Sequence, residues 1–211
     1  EPLEAAFGRL PRRQGKGRAA GAGLPEICVE NKPNAWYYSK ADAERKDGAM
    51  DREPFMREAL AEAEKAAAIG EVPVGAVVVR DGAVIGRGHN RTETDRDPVS
   101  HAEILAIRDA AKAIGGWRLT GCDLYVTTEP CSMCAGAIVL ARVRTLFIGT
   151  MDPKAGACGS LANIPQDRRL NHYVEIETGI LEEECRDIMK EFFRGLRRRN
   201  KAQLAEPQED R

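Results

Sequence analysis

Two short clusters constrain this chain more than anything else in it: Ser100-His101-Ala102-Glu103 and Thr127-Thr128-Glu129-Pro130-Cys131-Ser132-Met133-Cys134. The first sets a histidine and an acid two residues apart. The second sets two cysteines three apart, directly after a proline. Both fall at predicted helix starts, where unpaired backbone N–H groups and the macrodipole favour negative charge. A fold that uses them together must bring two helix N-termini to one point. There His101, Cys131 and Cys134 supply three ligands of the kinds zinc takes, with both thiols favoured as thiolates. Three is one short of a closed tetrahedron, so a metal held this way keeps a corner for water. Glu103 is placed to serve that water without being a ligand.

The pattern around the clusters predicts an α/β fold, a three-layer α/β/α domain with a mixed central sheet of about five strands. Phe55, Met56, Leu60, Ala63, Ala67 and Ile69 recur at helical spacing, and Gly70 stops that helix. Val72 to Val79 reads as a strand buried on both faces, because its apolar run barely alternates. Asp81-Gly82 predicts a tight hairpin back through Ala83–Gly86. Gly86-Arg87-Gly88 is a poor phosphate loop, since it lacks a third glycine and no helix follows directly. A helix from Ser100 to Ile114, a strand from Cys122 to Thr127, a helix from Cys131 to Ala141 and a strand from Thr145 to Gly149 come next. A loop of roughly twenty residues then carries Asp152, Lys154, Gly156 and Gly159, and loops that long are more often functional than idle. Tyr173–Ile176 predicts a last strand, and from Glu182 a final amphipathic helix begins.

Composition narrows the class. The 211 residues are 43% hydrophobic and 31% charged, as in an ordinary globule. No apolar run approaches the roughly 20 residues that span a bilayer, and isolated cysteines in an α/β pattern indicate a reducing, cytoplasmic protein without a membrane role. The net charge of −1 is neutral about nucleic acid, but Lys190, Arg194, Arg197, Arg198, Arg199 and Lys201 make a local basic run. Taken alone, such a run is a solvated helix face. Residues 1–49 are small, basic and without apolar periodicity, as in a disordered extension, so the zinc-binding domain is expected over 50–202 with a disordered tail at 203–211.

Each feature at the centre has a plainer reading. A C-x-x-C pair can be a redox site, although such sites need no H-x-E upstream. Glu103 three residues after Ser100 completes a capping box. Cys158 can close the metal site as a fourth ligand, which makes it structural. His89 and His172 read as ordinary core or surface residues.

Five segments together carry a family resemblance: Glu71-Val72-Pro73-Val74-Gly75-Ala76-Val77, Gly88-His89-Asn90-Arg91, His101-Ala102-Glu103, Glu129–Ala137 and Gly156-Ala157-Cys158-Gly159-Ser160-Leu161. They closely resemble the bacterial tRNA adenosine deaminases, and H-x-E followed by P-C-x-x-C is the signature of zinc-dependent nucleobase deaminases at large. The resemblance implies a cytidine deaminase-like fold, one zinc per subunit of a homodimer, and hydrolysis of adenosine to inosine at the wobble position of a tRNA anticodon. It implies His101, Cys131 and Cys134 as ligands and Glu103 as proton shuttle. Asn90 is expected to bond the flipped base with help from the Ala102 backbone. Asp152, Lys154 and Ser160 are expected along the anticodon path, and Phe193, Arg194 and Arg197 at flanking nucleotides. Two rivals remain at this stage: a deaminase of free cytidine, cytosine or guanine, and a non-catalytic, zinc-stabilised RNA-binding module.

Overall fold

The computed structural model describes residues 51–205, with side chains to Lys201. The expected extension over 1–49 and residues 206–211 lie outside the described residues. The elements run α1 (Glu53–Ala68), β1 (Gly75–Arg80), β2 (Ala83–His89), α2 (Thr92–Asp95), α3 (Ala102–Ile114), β3 (Asp123–Thr128), α4 (Ser132–Leu140), β4 (Thr145–Thr150), β5 (Glu175–Thr178) and α5 (Glu182–Ala205). The five strands form one mixed sheet in the order β2-β1-β3-β4-β5. β1 is antiparallel to both β2 and β3, whereas β3, β4 and β5 run parallel.

The run in β1 is buried on both faces because helices cover both. Ala76 and Val78 face the layer of α3 and α4, packed with Leu124, Val126, Leu146 and Ile148. Val77 and Val79 face the other way, onto Met56 and Ala59 of α1, Tyr125, Phe147 and Cys185 of α5. The hairpin turn is as expected: Asp81 and Gly82 both have positive φ, at 50° and 78°, the geometry whose twist suits a two-residue hairpin. The last strand begins two residues later than its apolar pattern indicated. β4 and β5 are joined by residues 151–174, an irregular segment and not a helix.

Gly86 and Gly88 have a packing role. A Cβ on Gly88 would lie 2.2 Å from the Ala102 carbonyl oxygen, and one on Gly86 would lie 2.5 Å from that of Ala106. The bare backbone of β2 lets α3 lie close against the sheet. That contact fixes the height of the first turn of α3, where His101 and Glu103 sit.

Candidate active site

His101 and Cys131 occupy equivalent places. Each is the N-cap of its helix with extended backbone, φ/ψ −83°/152° for His101 and −70°/174° for Cys131. The cap conformation turns both side chains across the helix ends, and Cys134 rises from the first turn of α4. His101 Nδ1 lies 3.7 Å from the Cys131 sulfur and 3.6 Å from the Cys134 sulfur. The three donor atoms fall within 4.8 Å of one another and could hold a metal ion. One imidazole and two thiols in that span fit zinc in kind and number.

Electrostatics at the centre favour a thiolate. Donation from the Cys134 thiol, helped by the amides of Cys134 and Met133 and opposed by burial, brings Cys131 down to about 5. The same contact, together with burial, raises Cys134. Cys158 does not join the group. Its buried thiol is 3.9 Å from the Pro130 carbonyl oxygen, and burial, with Glu129 nearby, pushes its pKa up. Among the described residues only His101, Cys131 and Cys134 bring donor atoms together, so the closed-site expectation finds no fourth donor in Cys158.

Glu103 is not a capping residue. Ser100 lies one residue too early, and its hydroxyl bonds Asp95 and Asp97 at 3.3 Å. The cap position belongs to His101, whose ring is turned to the sulfurs and makes no cap bond. Asn90 supplies the missing cap from outside the helix, its Oδ1 accepting the Ala102 N–H at 2.9 Å. The Ala102 amide, expected to assist at the base, is therefore taken up within the protein. It holds Asn90 in place beside the metal group.

The buried glutamates among the described residues divide sharply. Glu62 accepts from Lys65 and His89, Glu71 from Thr94, and Glu129 from residues of the 152–160 loop. In each, burial pushes the pKa up but these hydrogen bonds prevail, and the carboxyl ends below its ordinary value. Glu103 goes the other way. Burial dominates, the His101 field and its own amide only partly oppose it, and its pKa is raised. It faces the Cys134 sulfur, and a buried carboxyl of raised pKa is a candidate acid–base group.

The other expected residues separate into two places. Asp152 and Ser160 come together through Glu129, and Lys154 is exposed on the same loop. Sequence reasoning missed that role of Glu129; the only signal was its place in the cysteine cluster. Phe193, Arg194 and Arg197 lie on α5, which packs with α1 on the opposite face of the sheet from α3 and α4. Among the described residues, Arg194, Arg197, Arg198 and Arg199 have no ion-pair partner, whereas the earlier turns pair Arg186 with Glu182 and Lys190 with Asp187.

A family model for MafB19-like deaminases matches residues 50–197. The tRNA-specific adenosine deaminase of Bacillus subtilis is 52% identical over 150 residues, covering 71% of this chain and 93% of that one. This chain belongs to the tRNA-specific adenosine deaminase family. The Haemophilus influenzae enzyme of the same name is 46% identical over 154 residues, covering 72% and 89%. A structure solved in work on A-to-I editing by tRNA:A34 deaminases at the wobble position of transfer RNA is 47% identical. It covers 65% of this chain and 99% of its own, with a TM-score of 0.63. Family membership removes the redox reading of the cysteine pair.

Proposed function

We propose that this chain catalyses the hydrolytic deamination of adenosine to inosine at the wobble position of a tRNA anticodon, as a cytoplasmic homodimer with one zinc per subunit. The observation that carries the reading is geometric: the buried Glu103 carboxyl lies beside three donors, His101, Cys131 and Cys134, a set one short of a closed tetrahedron. A non-catalytic RNA-binding module has no use for that group.

His101, Cys131 and Cys134 would hold the zinc, and zinc, when bound, supplies Lewis acidity that makes water a nucleophile near neutral pH. Glu103 takes the proton from the attacking water and passes protons to the ring nitrogen and to the departing ammonia, the bond broken being C6–N6 of adenine. Asn90 orients the extruded base. Its Oδ1 is fixed by Ala102, so its amide nitrogen is the part directed to substrate. Lys154 and the unpaired arginines of α5 supply phosphate contacts.

The homodimer has support on α4. Ala135, Ile138 and Val139 are consumed by the chain's own core. Met133, Gly136, Ala137 and Leu140 form the outward stripe, at helical spacing, and Leu140 is 65% exposed. An apolar stripe of that kind suits a second copy. The five described cysteines are free, which fits a reducing compartment. No described helix is long and apolar enough to cross a membrane.

The test is deamination of an anticodon stem-loop carrying a wobble adenosine. Inosine should form with the native chain, and Glu103→Ala should abolish it while bound zinc remains. Deamination of free guanine or cytidine with the stem-loop untouched would overturn the proposal.

A further inference from the structure

Glu129 directly follows β3, two residues before Cys131, is buried at 4% exposure, and has its carboxylate filled by one loop. Oε2 accepts the Asp152 N–H at 2.9 Å and the Ser160 hydroxyl at 2.5 Å. Oε1 accepts the Cys158 N–H at 2.9 Å and the Ser160 N–H at 3.0 Å. Gly156 lies against the carboxylate, where a Cβ would meet its Cδ at 2.2 Å. The same loop runs beside the metal group. Gly156 bridges to Cys131, and the Ala157 N–H donates to the Pro130 carbonyl at 2.8 Å. Residues 152–160 contain no helix or strand of their own, so a single side chain gathers both ends of the segment.

We infer that Glu129 is a positioning residue for the RNA substrate: it sets the 152–160 loop beside the open metal corner, so that Lys154 meets the nucleotides flanking the target base. The inference rests on the tRNA reading above and deepens it. It also changes the part played by Ser160. Its N–H and hydroxyl hydrogen are both spent on Glu129, so Ser160 is a strut of the loop, with Lys154 as the loop's substrate contact.

The arrangement makes a specific prediction for Glu129→Gln. An amide keeps the shape but turns one acceptor oxygen into a donor. On the Oε1 side it would oppose two backbone N–H groups, which cannot reverse. On the Oε2 side it opposes one, and the Ser160 hydroxyl can rotate to accept. The amide nitrogen therefore settles on the Oε2 side and releases Asp152 alone.

The experiment pairs amide hydrogen exchange with steady-state deamination of the wobble-adenosine stem-loop, using the full zinc-loaded chain. In the native protein the Asp152, Cys158 and Ser160 amides should all be protected. In Glu129→Gln the Asp152 amide should exchange faster while Cys158 and Ser160 stay protected. KM for the stem-loop should rise roughly tenfold, with kcat within about threefold and zinc content unchanged, since a displaced contact weakens binding before chemistry. Ser160→Ala removes only the hydroxyl donor and should raise KM about twofold to threefold, which keeps the inference testable if the glutamine variant does not fold. A fall in kcat at unchanged KM, or an unchanged KM for the variants, overturns the inference. A native chain inactive on the stem-loop overturns the tRNA reading instead, while the exchange pattern still reports on the tether.

Discussion

Glu103 and Glu129 are both buried glutamates near the same metal group, yet they have opposite environments. Glu103 has a raised pKa because burial outweighs the few groups that favour its charge. Glu129 has a lowered one because donors from one loop surround both its oxygens. That difference suits Glu103 to moving protons and Glu129 to holding structure, although the residue type is the same. The contrast extends to the segments around them. The Glu103 side is built from two helix starts, each a short motif, that meet across 30 to 33 residues of sequence. The Glu129 side is an irregular loop whose position depends on contacts 23 to 31 residues away.

Removing metal should have the largest effect and should act on the Glu103 side alone. Chelation should abolish inosine formation and zinc should restore it, with loop amides near Glu129 still protected by hydrogen exchange. Next comes Glu103→Ala. Loss of a positioned proton carrier should lower kcat by about a thousandfold or more, with one zinc per chain retained by elemental analysis. If zinc were lost too, Glu103 would belong to the ligand set and the division between the two glutamates would collapse.

A smaller effect is expected from Gly88→Ala. The added methyl would press on the Ala102 carbonyl at 2.2 Å and must push the start of α3 outward. Overpacking of that kind costs about 1–3 kcal/mol, readable as a lower urea midpoint. Activity should fall with it, because His101 and Glu103 ride on the displaced turn. Unchanged stability would show that α3 approaches the sheet less closely than described. Smallest is Arg197→Ala. Loss of one phosphate contact should weaken stem-loop binding a few-fold and reduce the salt-dependence slope by about one. A slope equal to that of the native chain would return Arg197 to the solvated face of α5.

What could be read beforehand follows the same division. The grouping of His101, Cys131 and Cys134, with Glu103 beside it, was legible because metal chemistry demands particular side chains at particular spacings, and each of the two motifs is short. Asp81-Gly82 was legible because few residues tolerate two positive φ values in a row. The capping box on Ser100 was misread for a physical reason: the cap position had to be His101, since an extended cap residue is what turns the ring toward the sulfurs. Asn90 then caps α3 from twelve residues away, a contact no local pattern encodes. The Glu129 tether was harder still. Its partners are mostly backbone N–H groups, which every residue but proline possesses, so nothing in the sequence marks them as a set. The resemblance placed Ser160 along the anticodon path, but which way its hydroxyl points is a matter of tertiary structure.

The central claim is that the metal has three protein ligands and one open corner. X-ray absorption at the zinc edge of the purified chain tests it directly. The account predicts two sulfurs near ~2.3 Å and two lighter N/O scatterers near ~2.0–2.1 Å, one from His101 and one from solvent, a set that the Cys158→Ala variant leaves unchanged. A third sulfur that disappears in the Cys158→Ala variant would show a closed, structural site and contradict the account.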